Sequence, residues 1–297
     1  MQKLRFRTAE LAREKLDKEQ RKAIRQLYKD MAKDIEKELK KLKGRTNISS
    51  VMRDSYLRGL QKELNTILAN NGDTVKASTL EAMTKAAKAV TEDNAKWLTR
   101  IGLPPSAKLY NIPQQVVETV ASGKLYDGNW TLSRAIWKDI NKNQSTLNRI
   151  IAKGIAENKS AYDIAKDLEQ WVNPNKRLPW DWSKVYPNSS KTIDYNAQRL
   201  ARTCVSHAYE ESFIRNTEAN PFVLKYQWQA SSANPCPLCM DRDGEYYTKG
   251  NLPLDHPNGK CTFIAVIDDE DAIIDRIANW ANGNTDPELD EFASSLR

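Results

Sequence analysis

Histidine is nearly missing from this chain. His207 and His256 are the two in 297 residues, and cysteine stops at four. Each of these positions is therefore informative. Long apolar runs are missing too: none approaches the about 18 residues of a membrane-crossing helix. Met1-Gln2-Lys3-Leu4-Arg5 leads into charged sequence instead of an apolar signal core, so folding in a cytoplasm is expected. Internal repeats and low-complexity tracts are lacking as well.

What is present in quantity is charge, unevenly placed. The formal net charge is +7. Residues 1–45 hold 16 Lys/Arg against 8 Asp/Glu, whereas residues 268–297 hold 9 acidic against 2 basic side chains. A basic arm of this kind attracts DNA phosphates or an acidic partner surface. The plainer reading is a solvated helix face.

Helical periodicity dominates the first two thirds. Ile24, Leu27, Tyr28, Met31, Ile35, Leu39 and Leu42 recur at three- and four-residue steps within a helix over 9–43, which Gly44 stops. A second helix is expected over 49–69, with Leu57, Leu60, Leu64, Ile67 and Leu68 on one side. Asn70-Asn71-Gly72-Asp73 should break it before a third at 75–101, closed by Pro104-Pro105. A connector follows, with a short helix opened by Pro113, then a helix over 132–157. Ser160-Ala161-Tyr162-Asp163 reads as a capping box for a helix ending near Val172. Three prolines with Trp180 and Trp182 make 173–190 an irregular loop, and helix returns at 195–216.

After Pro221 the pattern changes. In 223–229, Leu224, Tyr226 and Trp228 alternate against Val223, Lys225, Gln227 and Gln229, the signature of a strand. Tyr246-Tyr247 and 261–267 read as further strands, 269–280 as a helix, and the acidic end as a tail. The expected fold is mainly α with a C-terminal α+β module. Its divisions are a basic helical bundle at 1–103, a helical middle at 104–192, the module at 193–267, and an acidic helix and tail at 268–297.

The chemistry-bearing residues sit in the module. Cys236-Pro237-Leu238-Cys239 is followed by a turn at Asp243-Gly244 and then by His256-Pro257-Asn258-Gly259-Lys260-Cys261. Two thiolates two residues apart can grip one side of a tetrahedral metal. An imidazole and a third thiolate from a second loop complete the four ligands that Zn²⁺ prefers. The expected metal ligands are thus Cys236, Cys239, His256 and Cys261, with zinc in a closed structural site. Structural zinc contributes roughly 10–16 kcal/mol of apparent binding energy near neutral pH. Free buried thiols in a loop-rich module are the alternative.

Enzyme signatures near this cluster are incomplete. A zinc deaminase needs His-x-Glu upstream of Pro-Cys-x-x-Cys, but His207-Ala208-Tyr209-Glu210 has the wrong spacing. Asp255-His256-Pro257-Asn258 is like the start of an HNH nuclease motif, which needs a second histidine; His207 is the one that remains, on a predicted helix. Asp241-Arg242-Asp243-Gly244 lacks the later carboxylates of a calcium loop.

In order, Arg199-Leu200-Ala201-Arg202-Thr203, Tyr226-Gln227-Trp228, Cys236-Pro237-Leu238-Cys239, Asp243-Gly244, Leu252-Pro253 and His256-Pro257-Asn258-Gly259-Lys260-Cys261 resemble the phage head morphogenesis, or Mu F-like minor capsid, family. Leu132-Ser133-Arg134-Ala135-Ile136-Trp137 and 154–168 resemble that family's helical middle. The chain departs from it at Cys204, where the family has glutamate, at Gly259, where it has cysteine, and at Lys260, where it has arginine. The resemblance implies a structural, non-enzymatic minor capsid protein inside the virion head near the portal, assembled in the host cytoplasm. Its implied partners are portal protein and major capsid or scaffolding protein, with packaged double-stranded DNA as a further one. An HNH-like nuclease and a DNA-binding zinc protein are the alternative functions.

Overall fold

The structure, a computed structural model, describes residues 2–43, 50–103, 105, 107–126, 128, 130–157, 159, 163, 164, 166–168, 195–232 and 235–296. The Gly44 stop, residues 160–162 of the capping box, the helix end near Val172 and the Trp/Pro loop at 173–190 lie outside them. The order is β1 (Gln2–Leu4), α1 (Arg7–Lys43), α2 (Ser50–Arg100), a 3-10 turn (Ala107–Asn111), α3 (Ile112–Ser122), α4 (Leu132–Ala156) and α5 (Tyr195–Thr217). There follow β2 (Val223–Gln229), α6 (Pro237–Arg242), β3 (Tyr246–Tyr247), β4 (Thr262–Ile267), α7 (Glu270–Ala281) and α8 (Pro287–Leu296). The chain is mainly helical with one small antiparallel sheet, as its periodicity predicts. Among the described residues no helix is long and apolar enough to cross a membrane.

Two compact units form, neither a single stretch of sequence. One gathers Met1–Gln20, Thr79–Thr131 and Leu200–Arg297; the other gathers Arg21–Ser78 and Leu132–Arg199.

The second unit is built from apolar stripes: Ile24, Tyr28, Met31 and Ile35 of α1, Leu57, Leu60, Leu64 and Leu68 of α2, and Ile136, Ile140, Leu147 and Ile151 of α4 are all buried. The Gln144 side chain donates to the Asn65 carbonyl at 3.1 Å, and Gly72 meets Ile140 and Ile136 further along α2. The two helices therefore run antiparallel. This crossing corrects the expected break at Asn70-Asn71-Gly72-Asp73, because α2 is continuous through it. A Cβ on Gly72 would lie 2.8 Å from Ile140 Cγ1. Glycine here costs the helix about 1 kcal/mol relative to alanine, and the close approach of α4 offsets that cost. Gly72→Leu is expected to lower unfolding free energy by about 1–3 kcal/mol through overpacking. A urea titration should then show a lower midpoint at constant slope.

The first unit centres on the sheet, ordered β1-β4-β2-β3 with every neighbour antiparallel. All six residues of β4 are buried, as its unbroken Thr-Phe-Ile-Ala-Val-Ile run requires. β2 departs from simple alternation. Its register against β4 slips between Val223 and Lys225, so Leu224 bulges out and is 45% exposed while Val223 is buried. The expected apolar face of β2 is thus corrected at its first turn of pleat. Edge-to-face aromatic contacts run through the core: Phe213 of α5 packs on Phe6 at 5.2 Å and on Tyr226 of β2 at 6.4 Å, and within the sheet Trp228 packs on Phe263 at 5.1 Å.

Helix α5 is buried on every side from Thr203 to Glu210. It meets α2 along a polar seam, where the Asn94 amide donates to the Asn216 carbonyl and Ser212 donates to the Ala87 carbonyl. α1 enters the same unit. The Asp93 carboxylate of α2 accepts the Ala9 backbone amide at 2.9 Å and so satisfies a donor of the first α1 turn. The acidic end, expected as a tail, is helix α8. Asp286 accepts the Leu289 amide as its cap, Pro287 opens its first turn, and Arg276 holds Asp286 at 2.7 Å. Leu289 and Phe292 are buried.

Candidate metal centre

The first ligand pair sits where β2 turns into α6. Cys236 is the N-cap of α6, Pro237 takes the first helical position, and Cys239 faces inward at 1% exposure. The Asp243-Gly244 turn ends α6 and returns the chain to the sheet: Gly244 N–H donates to the Trp228 carbonyl and Trp228 N–H to the Glu245 carbonyl. The turn expected at Asp243-Gly244 forms, and Asp243 accepts the Ala230 amide there, whereas Asp241 and Arg242, read with it as a hairpin turn, end α6.

The second pair sits on the loop 255–261, whose backbone is held from three sides. From within, Asp255 Oδ1 accepts the His256 amide at 2.8 Å and Oδ2 accepts the Cys261 amide at 3.0 Å. From α5, Thr203 Oγ1 accepts the Asn258 amide at 2.8 Å, Arg202 donates to Asn258 Oδ1 at 2.9 Å, and Ser206 donates to the Gly259 carbonyl at 3.2 Å. From α1, the Arg13 guanidinium donates to the carbonyls of Cys261 and Lys260 at 3.0 and 3.1 Å. Asp17 accepts from Arg202 Nε at 2.7 Å and faces Lys260 Nζ at 3.3 Å, tying these grips together. Asn258 takes a left-handed φ of 71°, a conformation that asparagine tolerates better than most residues.

His207 belongs to this scaffold. Its Nε2 lies 3.0 Å from the Asp255 carbonyl, which can only accept, so Nε2 carries the proton. Nδ1 then accepts from the Tyr126 hydroxyl at 2.7 Å. Burial pushes the His207 pKa down and so favours this neutral form.

The four expected ligands converge. Ligand atoms of Cys236, Cys239 and His256 lie within 4.8 Å of one another, and those of Cys239, Asp255 and Cys261 form a second such group that shares Cys239. A possible metal-binding site of Cys236, Cys239, His256 and Cys261 therefore exists. Asp255 joins it, although the spacing argument takes no account of this residue as a ligand. The electrostatics suit a cation. The Cys239 amide at the start of α6, with help from the Cys239 thiol and His256, holds the Cys236 thiol below its ordinary pKa. Burial, with the neighbouring thiols, pushes Cys239 up, and burial also raises Cys261. Buried thiols that resist ionisation become stable thiolates once a divalent cation is their counterion.

Three further residues, Arg13, Glu210 and Cys204, lie in the same unit. Arg13 stacks on the Tyr209 ring at 4.5 Å. Glu210 is 2% exposed, and its oxygens lack a hydrogen bond of good geometry, with the Asp255 amide approaching. Burial and then the Asp255 charge push its pKa well up, which favours the neutral form. Cys204 is buried outside the cluster, its thiol pushed up to about 12 by burial. Glu10, Arg13, Asp17 and Gln20, spaced three and four apart, form a buried polar stripe on α1. That spacing is the signal for this face, and it is visible in the sequence.

Compared with known proteins, the chain matches no family model, no curated protein and no solved structure.

Proposed function

We propose that the chain is a minor capsid (head morphogenesis) protein of a tailed phage, a structural component that acts near the portal during head assembly. One observation carries this reading: the dispersed residues on which the family resemblance rests come together as one scaffold. Arg202 and Thr203 grip Asn258. Trp228 exchanges backbone hydrogen bonds with the Asp243-Gly244 return. Cys236, Cys239, His256 and Cys261 meet at the centre. These parts of the motif hold the module together, so they read as a folding signature.

The metal we propose is zinc. Three sulfurs and one nitrogen are a common structural zinc set, and a site filled by protein donors has no open place for a reacting water. The nuclease alternative lacks support at His207, whose two ring nitrogens are both engaged in a buried site. Proposed partners are the portal and the major capsid or scaffolding protein. Packaged DNA is proposed only for the outward face of α1. That face is laced with internal pairs, Lys15–Glu19, Lys33–Asp30 and Lys41–Glu38, and Arg13 on its inward side is taken up by the module.

Quantitative mass spectrometry of purified procapsids and virions of the phage that encodes the chain tests the proposal. A few copies per portal are expected beside portal and major capsid protein. Absence from both kinds of particle would refute a head protein and promote the nuclease and DNA-binding readings. His256→Ala separates those further: lost folding with no cleavage by the parent chain supports a scaffold, whereas lost cleavage with intact folding supports an enzyme.

A further inference from the structure

We propose that Asp255 is itself a metal ligand, an oxygen donor on the buried side of the cluster, and that Gly259 is glycine because this carboxylate occupies the space of its missing side chain. The proposal rests on the metal reading above and adds a donor to it.

The position of the carboxylate is the first argument. Its side chain is 1% exposed. Oδ1 lies 3.9 Å from Cys239 Sγ and 4.0 Å from His256 Nε2, and the group formed with Cys239 and Cys261 falls within 4.8 Å. Asp255 thus stands between the two halves of the cluster and touches both.

Capacity is the second. The two carboxylate oxygens offer about four acceptor sites. The His256 and Cys261 amides take one on each oxygen. Oδ2 keeps a lone pair, and the remaining site on Oδ1 faces the Cys239 thiol, whose proton a bound metal would replace. A buried carboxylate with acceptor capacity left over is costly without a cation beside it. Zinc accepts such an oxygen at about 2.0–2.2 Å along with sulfur and nitrogen donors.

Gly259 supplies the third, independent argument. An added Cβ there would lie 2.0 Å from Asp255 Oδ2, 2.3 Å from Cγ and 2.4 Å from Oδ1. Gly259 has no left-handed φ that would call for glycine on backbone grounds. Its small size serves the carboxylate, which could not reach the cluster past any other residue at 259.

The test uses the full chain, reduced and refolded with zinc or cobalt(II), each alone as the probe. Zinc-edge X-ray absorption of the wild type is expected to show three sulfurs near about 2.3 Å and two lighter donors near about 2.0–2.2 Å. Asp255→Asn should lose one light donor, shift the cobalt d–d bands and weaken binding by at least about 100-fold, beyond what loss of an outer-shell brace costs. Gly259→Ala should lose the same donor while every donor residue remains. A single light donor in the wild type, or an unchanged spectrum in Asp255→Asn however weakly it binds, would make Asp255 a brace of the loop and overturn the proposal. Should Asp255→Asn fail to fold, as read by circular dichroism, the wild-type donor count decides. A wild type that takes up neither metal overturns this proposal and the metal reading together; an unchanged variant overturns this one alone.

Discussion

Cys239→Ser is expected to abolish metal uptake and to unfold the segment from Cys236 to Cys261. Chelation of the wild type should do the same. Cys239 is the residue common to both ligand groups and sits at 1% exposure. Removing its thiolate breaks both groups at once and leaves a hydroxyl where a soft donor is required. The apparent energy at stake, roughly 10–16 kcal/mol, equals or exceeds the whole stability of an ordinary domain, about 5–15 kcal/mol. Apart from the hydrogen bonds that hold 255–261, the segment has little regular structure or apolar packing. α6 is six residues long and β3 two, and Leu238, Met240, Tyr246 and Leu254 are exposed. Hydrogen exchange gives the clearest readout, because the amides of His256, Asn258, Gly259 and Cys261 are all bonded in the folded loop. In Cys239→Ser they should exchange at rates near those of an open chain, while the Leu- and Ile-rich helices of the second unit keep their protection. Unchanged protection in chelator would mean that the loop stands on its hydrogen bonds alone, and zinc would lose its structural role.

Local patterns carried much of this fold in the sequence. The periodic Ile24-Tyr28-Met31-Ile35 stripe predicts α1 and its buried side. The apolar run at 261–267 predicts a strand, and the structure buries it on both faces. Cys-x-x-Cys followed by His-x-x-x-x-Cys predicts four residues that do meet. These succeed because each is a short-range regularity with a single physical cause.

What the sequence hid depends on partners far away along the chain. Asn70-Asn71-Gly72-Asp73 has the composition of a turn, and only the approach of Ile136 and Ile140 makes it a helix crossing. Leu224 fits an alternating strand until the register of β4 shows that an extra residue must bulge. β1, three residues long, is stable only as a partner of β4 across the length of the chain. The end of the chain was legible in principle. Asp286-Pro287-Glu288-Leu289 carries a cap, a first-turn proline and first-turn acids, but its acidity reads first as a tail. Asp255 went unread as a ligand because spacing rules count cysteine and histidine, and a carboxylate next to the histidine looks like ordinary loop chemistry.

Arg13→Met is expected to destabilise the first unit by roughly 2–6 kcal/mol, the cost of leaving two carbonyls without their donors at about 1–3 kcal/mol each. The charge count places Arg13 in a basic arm, yet the structure gives it a different task. Its guanidinium closes the ligand loop by donating to the Cys261 and Lys260 carbonyls, and its plane lies over the Tyr209 ring. Methionine keeps the apolar stem and the volume, so the loss isolates the donors. Two carbonyls of the loop would be left without them, and Glu210 would lose the nearby positive charge that opposes the rise of its pKa. Arg13→Lys should fall between, since an ammonium keeps the charge but cannot span two carbonyls or stack as a plane. Thermal melts of the zinc-loaded chain, with hydrogen exchange at 255–261, measure the loss. The same variants also decide between the two meanings of the basic N-terminus. If Arg13 serves the fold, Met at this position lowers stability and metal retention together, and affinity for duplex DNA changes only in proportion to the unfolded fraction. If it serves DNA, stability is unchanged and affinity drops with a shallower salt dependence, as the loss of one phosphate contact requires.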